Sequence, residues 1–126
     1  MEITYKIDKE KKLIIETWPE ELTLENYKEV KLKEFSDPDF NKDFNILTDL
    51  RKVKMQFNEE IIKGIVDFMK IYSEKMQNRK SAIIADSPQL VAPSLFFGQK
   101  ARNLSVKVSI FSTSEAAIKW IKERWH

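Results

Sequence analysis

Two short segments place carboxylates beside hydroxyls and cations: Thr48-Asp49-Leu50-Arg51, and Asp86-Ser87. Two carboxylates on one rim could hold a hard cation or do acid–base work. A plainer arrangement uses the same residues, with Asp49 paired to Arg51 or Lys52 and Asp86 and Ser87 capping a helix. The Arg51-Lys52-Val53-Lys54 run could attract an anion, but it lacks the interleaved aromatics on which bases stack. A lysine-activated serine is conceivable, yet no spacing singles out such a pair. The only histidine is His126, the terminal residue, expected to fray, which argues against the usual Ser-His-Asp arrangement, and a single histidine cannot build a multi-histidine metal site. Cysteine is absent, which removes disulfides and thiolate metal ligands. Both glycines, Gly64 and Gly98, fall in helical segments, where they cannot build a phosphate-cradling loop between strand and helix. No catalytic residue, metal or cofactor is expected.

A second signal is a lack of charge. From Ser87 to Gln99 the chain carries no charged side chain, although 33% of its residues are charged. Leu90, Val91, Leu95, Phe96 and Phe97 lie in this stretch. Neighbouring helical residues project about 100° apart, so both phenylalanines fit one packing face only if that face is wide. The segment is therefore a deeply buried helix, the lining of a pocket, or the contact surface for a partner.

The elements that position these residues follow from periodicity. Residues 2–7 alternate, with Ile3, Tyr5 and Ile7 on one side, and Leu13–Trp18 reads as a second strand. The short polar link between them requires an antiparallel hairpin. Thr23 suits the N-cap of a helix that turns Leu24, Tyr27, Val30 and Phe35 inward and stops near Ser36-Asp37-Pro38. Phe44–Asp49 reads as a buried strand. Asn58-Glu59-Glu60 opens a helix whose apolar stripe runs from Ile61 to Met76; Gly64 within it suggests close packing rather than a hinge. Ser81–Ala85 reads as a central strand, followed by a helical stretch that Pro93 breaks or kinks. Val106–Phe111 is the last strand. Ser112 and Glu115 form a capping-box pair for a final helix with Ala116, Ala117, Trp120 and Ile121 inward.

The order β-β-α-β-α-β-α-β-α describes an α/β domain with a mixed, mostly parallel five-stranded sheet and helices packed on it. Residues 1–126 suffice for one domain of ordinary size. With 22 basic and 20 acidic side chains the net charge is +2, too small to favour nucleic acid or a membrane surface. No apolar run reaches the roughly 20 residues of a membrane span. The N-terminus lacks a signal-peptide pattern, so the chain reads as cytoplasmic.

Val106–Phe111, followed by Ser112-Thr113-Ser114-Glu115-Ala116-Ala117-Ile118-Lys119-Trp120-Ile121, resembles the closing segment of SpoIIAA-like (STAS-fold) proteins. The opening hairpin, Thr48-Asp49-Leu50-Arg51 and Ala82-Ile83-Ile84-Ala85-Asp86 resemble that family as well. The resemblance implies a STAS-like topology over nearly the whole chain and a bacterial, cytoplasmic protein. In the anti-sigma-factor antagonist branch, a serine in an Asp-Ser pair at the start of the second helix is phosphorylated. The corresponding stretch, Asp49 through Val53, Met55, Phe57 and Asn58, holds no serine or threonine, so that switch is not expected. The resemblance also implies similarity to Sec14-type lipid carriers. The leading expectation is a non-catalytic binding or regulatory module that acts through a protein partner or a homodimer, with Leu90–Phe97 at the contact. A carrier of a small apolar ligand, held between this helix and the Ile65–Tyr72 face, comes second. An enzyme using Asp49 and Asp86 comes third.

Overall fold

The computed structural model describes residues 2–54, 57–76, 79–104 and 106–123. Strands β1 (Thr4–Asp8) and β2 (Leu13–Thr17) form the antiparallel hairpin that their short link demands. Helix α1 (Leu24–Ser36) starts at Thr23, whose hydroxyl accepts the Asn26 N–H. Strand β3 (Asn45–Asp49) leads to α2 (Glu59–Ile71), capped by the Asn58 side chain on the Ile61 N–H, and to the short α3 (Ser73–Met76). Strand β4 (Lys80–Ile84), helix α4 (Pro88–Ala101), strand β5 (Lys107–Phe111) and helix α5 (Ser114–Lys122) complete the chain.

The sheet runs β1-β2-β3-β4-β5 in strict sequence order, with β2 to β5 parallel. Each right-handed crossover therefore advances in the same direction and drops its helix on the same face. Accordingly α1, α2 and α4 share one core, built on Tyr27, Ile62, Ile65, Phe68, Ile83 and Leu90 among others. Helix α5 alone covers the other face, where Ala117 and Ile121 meet Leu13, Leu47, Ala82 and Ile84. Its C-terminal end is tied across the sheet: the buried Lys80 ammonium donates to the carbonyls of Trp120 (2.7 Å) and Glu123 (2.6 Å). A lysine placed there satisfies carbonyls that the end of a helix leaves without partners.

Close packing explains Gly64. A Cβ there would stand 2.5 Å from Leu24 Cδ2, so the glycine lets α1 approach α2. Three local expectations need correction. Of the break or kink expected at Pro93, the break is overturned, since α4 runs from Pro88 to Ala101; the carbonyl deprived of its N–H partner is that of Gln89, an exposed residue. The N-cap of α5 is Thr113, whose hydroxyl accepts the Ala116 N–H, rather than Ser112. Ala116 is exposed, because the register starting at Thr113 turns Ala117 and Ile121 to the sheet instead.

Candidate functional site

Strand alternation sends Ile14, Glu16 and Trp18 to the face under α1, α2 and α4, and Glu16 is only 1% exposed there. On α1, Tyr27, Lys31 and Glu34 stand at i, i+4 and i+7, one inward stripe, and both charged members are buried. The result is a buried polar cluster. Lys31 Nζ donates to Glu16 Oε2 at 2.6 Å and to Glu34 Oε1 at 3.3 Å, and Trp18 Nε1 donates to Glu16 Oε1 at 2.9 Å. The Lys31 ammonium also sits 5.6 Å from the centre of the Tyr27 ring, a cation–π distance.

Two carboxyls this close share their electrostatics. Burial raises the Glu16 carboxyl, but the charge of Lys31, with hydrogen bonds from Glu34, Lys31 and Trp18, outweighs it and holds Glu16 at about 2. Burial and then the neighbouring Glu16 push Glu34 up to about 9, against the pull of Lys31. Glu34 therefore keeps its proton at neutral pH and donates it toward Glu16. Glu34 Oε2 has no hydrogen-bond partner among the described residues. Burial lowers Lys31, yet Glu16 and Glu34 outweigh it and hold the ammonium above its ordinary range.

Arg79 completes the cluster. It enters just before β4 with the same parity as Ser81 and Ile83, is 5% exposed, and among the described residues its Nη1 has no hydrogen-bond partner. Burial lowers its basicity, opposed by Glu16, Tyr27 and Glu34. Native proteins rarely leave such a donor bare unless water, an ion or a ligand serves it.

These groups border a cavity of about 50 Å³, measured as the space open to the centre of a water molecule. Its floor is the sheet (Glu16, Ile46, Thr48, Ser81, Ile83), and its roof is Tyr27, Lys31, Ile65, Met69, Met76 and Phe97. Trp18, Leu50 and Phe57 follow the C-terminal ends of strands, whereas Arg79 and Val106 precede N-terminal ends, so the cavity spans the sheet. Most of the wall is apolar. One end carries a cation.

The uncharged helix divides among three settings. Leu90 is core at 4% exposed, Phe97 lines the cavity, and Leu95 is 60% exposed. Val91 is half-buried against the core, and Phe96 packs there beneath Lys100, whose Nζ is 5.4 Å from the ring centre. At the strand edge, Asp49 is committed to Arg51: Oδ1 accepts the Arg51 N–H and Nε–H at 3.0 Å each, and Oδ2 accepts from Nη2 at 2.8 Å. Burial raises the Asp49 carboxyl, but the bonds from Arg51 outweigh it and leave it below its ordinary value. Arg51, Asp86 and Ser87 line one surface groove, and Ser87 stands at the N-cap of α4 without a side-chain capping bond. Among the described residues no three His, Cys, Asp or Glu side chains group to hold a metal. His126 and Met55 lie outside the described residues. Among the described residues no helix is long and apolar enough to cross a membrane.

No family model matches the chain, and no curated protein matches it. Among solved structures, an uncharacterised protein of the DUF3478 family from Shewanella loihica PV-4, with a SpoIIAA-like fold, superimposes at a TM-score of 0.67. The alignment covers 95% of this chain and 94% of the other at 13% identity. Likeness at that identity is likeness of fold, and the SpoIIAA-like architecture expected from the sequence is the one found.

Proposed function

We propose that this SpoIIAA-like domain is a non-catalytic binding module that holds a small, mostly apolar molecule in the cavity between the sheet and helices α1, α2 and α4. One observation carries the reading: an apolar chamber in which, among the described lining residues, the one fully buried side-chain polar atom without a hydrogen-bond partner is Arg79 Nη1. Pockets for small molecules have this composition, apolar walls with a few placed polar groups. The chamber lies between Phe97 of α4 and Ile65 and Met69 of α2, where a carrier of an apolar ligand would hold its cargo. Contact with a protein partner or a second copy draws on less of the uncharged helix, since Leu95 alone of its five large apolar side chains is mostly exposed. An acid–base role for Asp49 conflicts with its three bonds to Arg51.

The test is a methyl NMR titration of the whole chain with butanol, butyramide, butyrate and butylammonium. Binding is expected to shift the methyl signals of Ile65, Met69 and Ile83, and the cavity-filling variant Ser81→Leu is expected to abolish those shifts. If none of the four probes moves these signals at millimolar concentration, or if the shifts gather around Leu95, the reading is wrong.

A further inference from the structure

We infer that the occupant of this cavity is a short-chain monocarboxylate, its carboxylate docked on the Arg79 guanidinium and its apolar body lying against Ile65, Met69 and Phe97. The inference rests on the ligand-binding reading above and adds the charge class of the ligand.

Charge balance points to an anion. Glu16 and Lys31 neutralise each other at 2.6 Å. Glu34 cannot also be an anion while it is hydrogen-bonded to Glu16. One positive charge, that of Arg79, is left buried without a counter-charge in contact among the described residues. An unpaired buried ion is costly, and a planar guanidinium pairs best with a carboxylate through two parallel N–H bonds.

The same count selects against phosphate, whose second charge would find no cation, since Lys31 is already engaged by two carboxyl groups. Size sets the length of the chain. At about 10–15 Å³ per water centre, a space of about 50 Å³ admits roughly three to five heavy atoms, so butyrate, with six, fills it and presses on its walls. Longer homologues would need Met69 and Met76 to move, which unbranched thioether side chains do readily.

The inference carries a pH signature. The titratable groups facing Glu34 are Glu16 of β2, Lys31 and Tyr27 of its own helix, Arg79 before β4 and Tyr5 of β1. When Glu34 ionises it becomes the counter-charge for Arg79, so a bound anion then competes with it. Butyrate affinity is expected to fall as pH rises through about 9, where Glu34 loses its proton, and Glu34→Gln is expected to remove that fall.

The deciding measurement is the ratio of dissociation constants for butyrate and its neutral isostere butyramide on the wild-type chain at pH 7, with inorganic phosphate as a third titrant. Butyrate is expected to bind at least tenfold more tightly than butyramide, and phosphate not to enter. In Arg79→Met, whose fold the NMR spectrum verifies, the two organic probes are expected to bind alike. Equal affinity on the wild type overturns the monoanion inference and leaves the cavity reading standing. Binding by neither organic probe overturns both. Phosphate binding ahead of butyrate, with shifts at Ile65 and Met69, overturns the carboxylate assignment alone.

Discussion

Arg79→Met is expected to make the empty protein more stable, which is unusual for a change at a residue only 5% exposed. Three contributions set the size. Nη1 has no partner, and an unsatisfied buried donor costs about 1–3 kcal/mol. Replacing a whole buried ion pair by apolar side chains of similar volume stabilises by up to about 1–4 kcal/mol in known cases, and a buried charge with no partner in contact recovers still less of its desolvation cost. Against this stands the attraction of Arg79 for Glu16. Lys31 already neutralises that carboxylate at 2.6 Å, so the opposing contribution is the smallest of the three. Methionine adapts to the space the guanidinium vacates and leaves little new void. The net gain is about 1–3 kcal/mol, and at roughly 4 °C per kcal/mol for a chain of this size the midpoint rises by about 4–12 °C. Differential scanning calorimetry and urea unfolding at pH 7, on dialysed protein, measure it. A fall in the midpoint of Arg79→Met would show that the guanidinium stabilises the folded chain, and the case for an absent counter-ion would go with it.

Stability should also decline from pH 5 to pH 8.5. The folded-state value of Glu34 is raised to about 9 from 4.5, so its contribution is complete below pH 4.5 and is lost as pH rises toward 9, with a limiting slope of about 1.4 kcal/mol per pH unit. Glu34→Gln should flatten this limb, and an unchanged slope in that variant would place the proton elsewhere. Gly64→Ala in a Leu24→Ala background should stabilise by about 1 kcal/mol through helix propensity. In the wild type the Leu24 methyl 2.5 Å away should cancel part of that gain; strictly additive effects in the double-mutant cycle would contradict the close contact. Lys80→Met should cost about 1–3 kcal/mol and release the amides of α5 to hydrogen exchange ahead of those of β4, whereas uniform loss of protection would mean that the lysine does not act on α5 in particular.

The sheet and its helices could be read from the sequence because their signals are local. Alternation at Ile3, Tyr5 and Ile7 and the stripe from Ile61 to Met76 each declare a buried face within one element. The cap at Thr23 depends on one side chain and the next turn and is as expected, and Asn58, expected to open α2, caps it. The one-residue slip at Ser112 shows the limit of such reading, since adjacent hydroxyls offer equal capping chemistry and only the backbone chooses Thr113. The candidate site left its mark in the same periodicities. Glu16 shares parity with Ile14 and Trp18, Lys31 and Glu34 fall on the inward stripe of α1, and Arg79 shares parity with Ser81 and Ile83. High overall charge hid them, because a charged residue in a charge-rich chain is assigned to the surface by default. The cavity itself could not be read locally, since it is the volume left over when side chains from one sheet and four helices meet.

The strict strand order also has a consequence for how the buried charges come together during synthesis. Glu16, Lys31 and Glu34 all belong to the single unit β2–α1, so the ion pair is made by near neighbours in the chain, while the raised Glu34 value waits for the burial that later elements supply. Arg79 reaches the ribosome exit only after β3 and α2 have been laid down. The ion pair thus needs only contacts within one β–α unit, whereas the Arg79 charge enters the core with β4, which pairs with β3. A small anion present at that moment would act on assembly as well as on the finished fold, lowering the barrier to the step that buries the guanidinium.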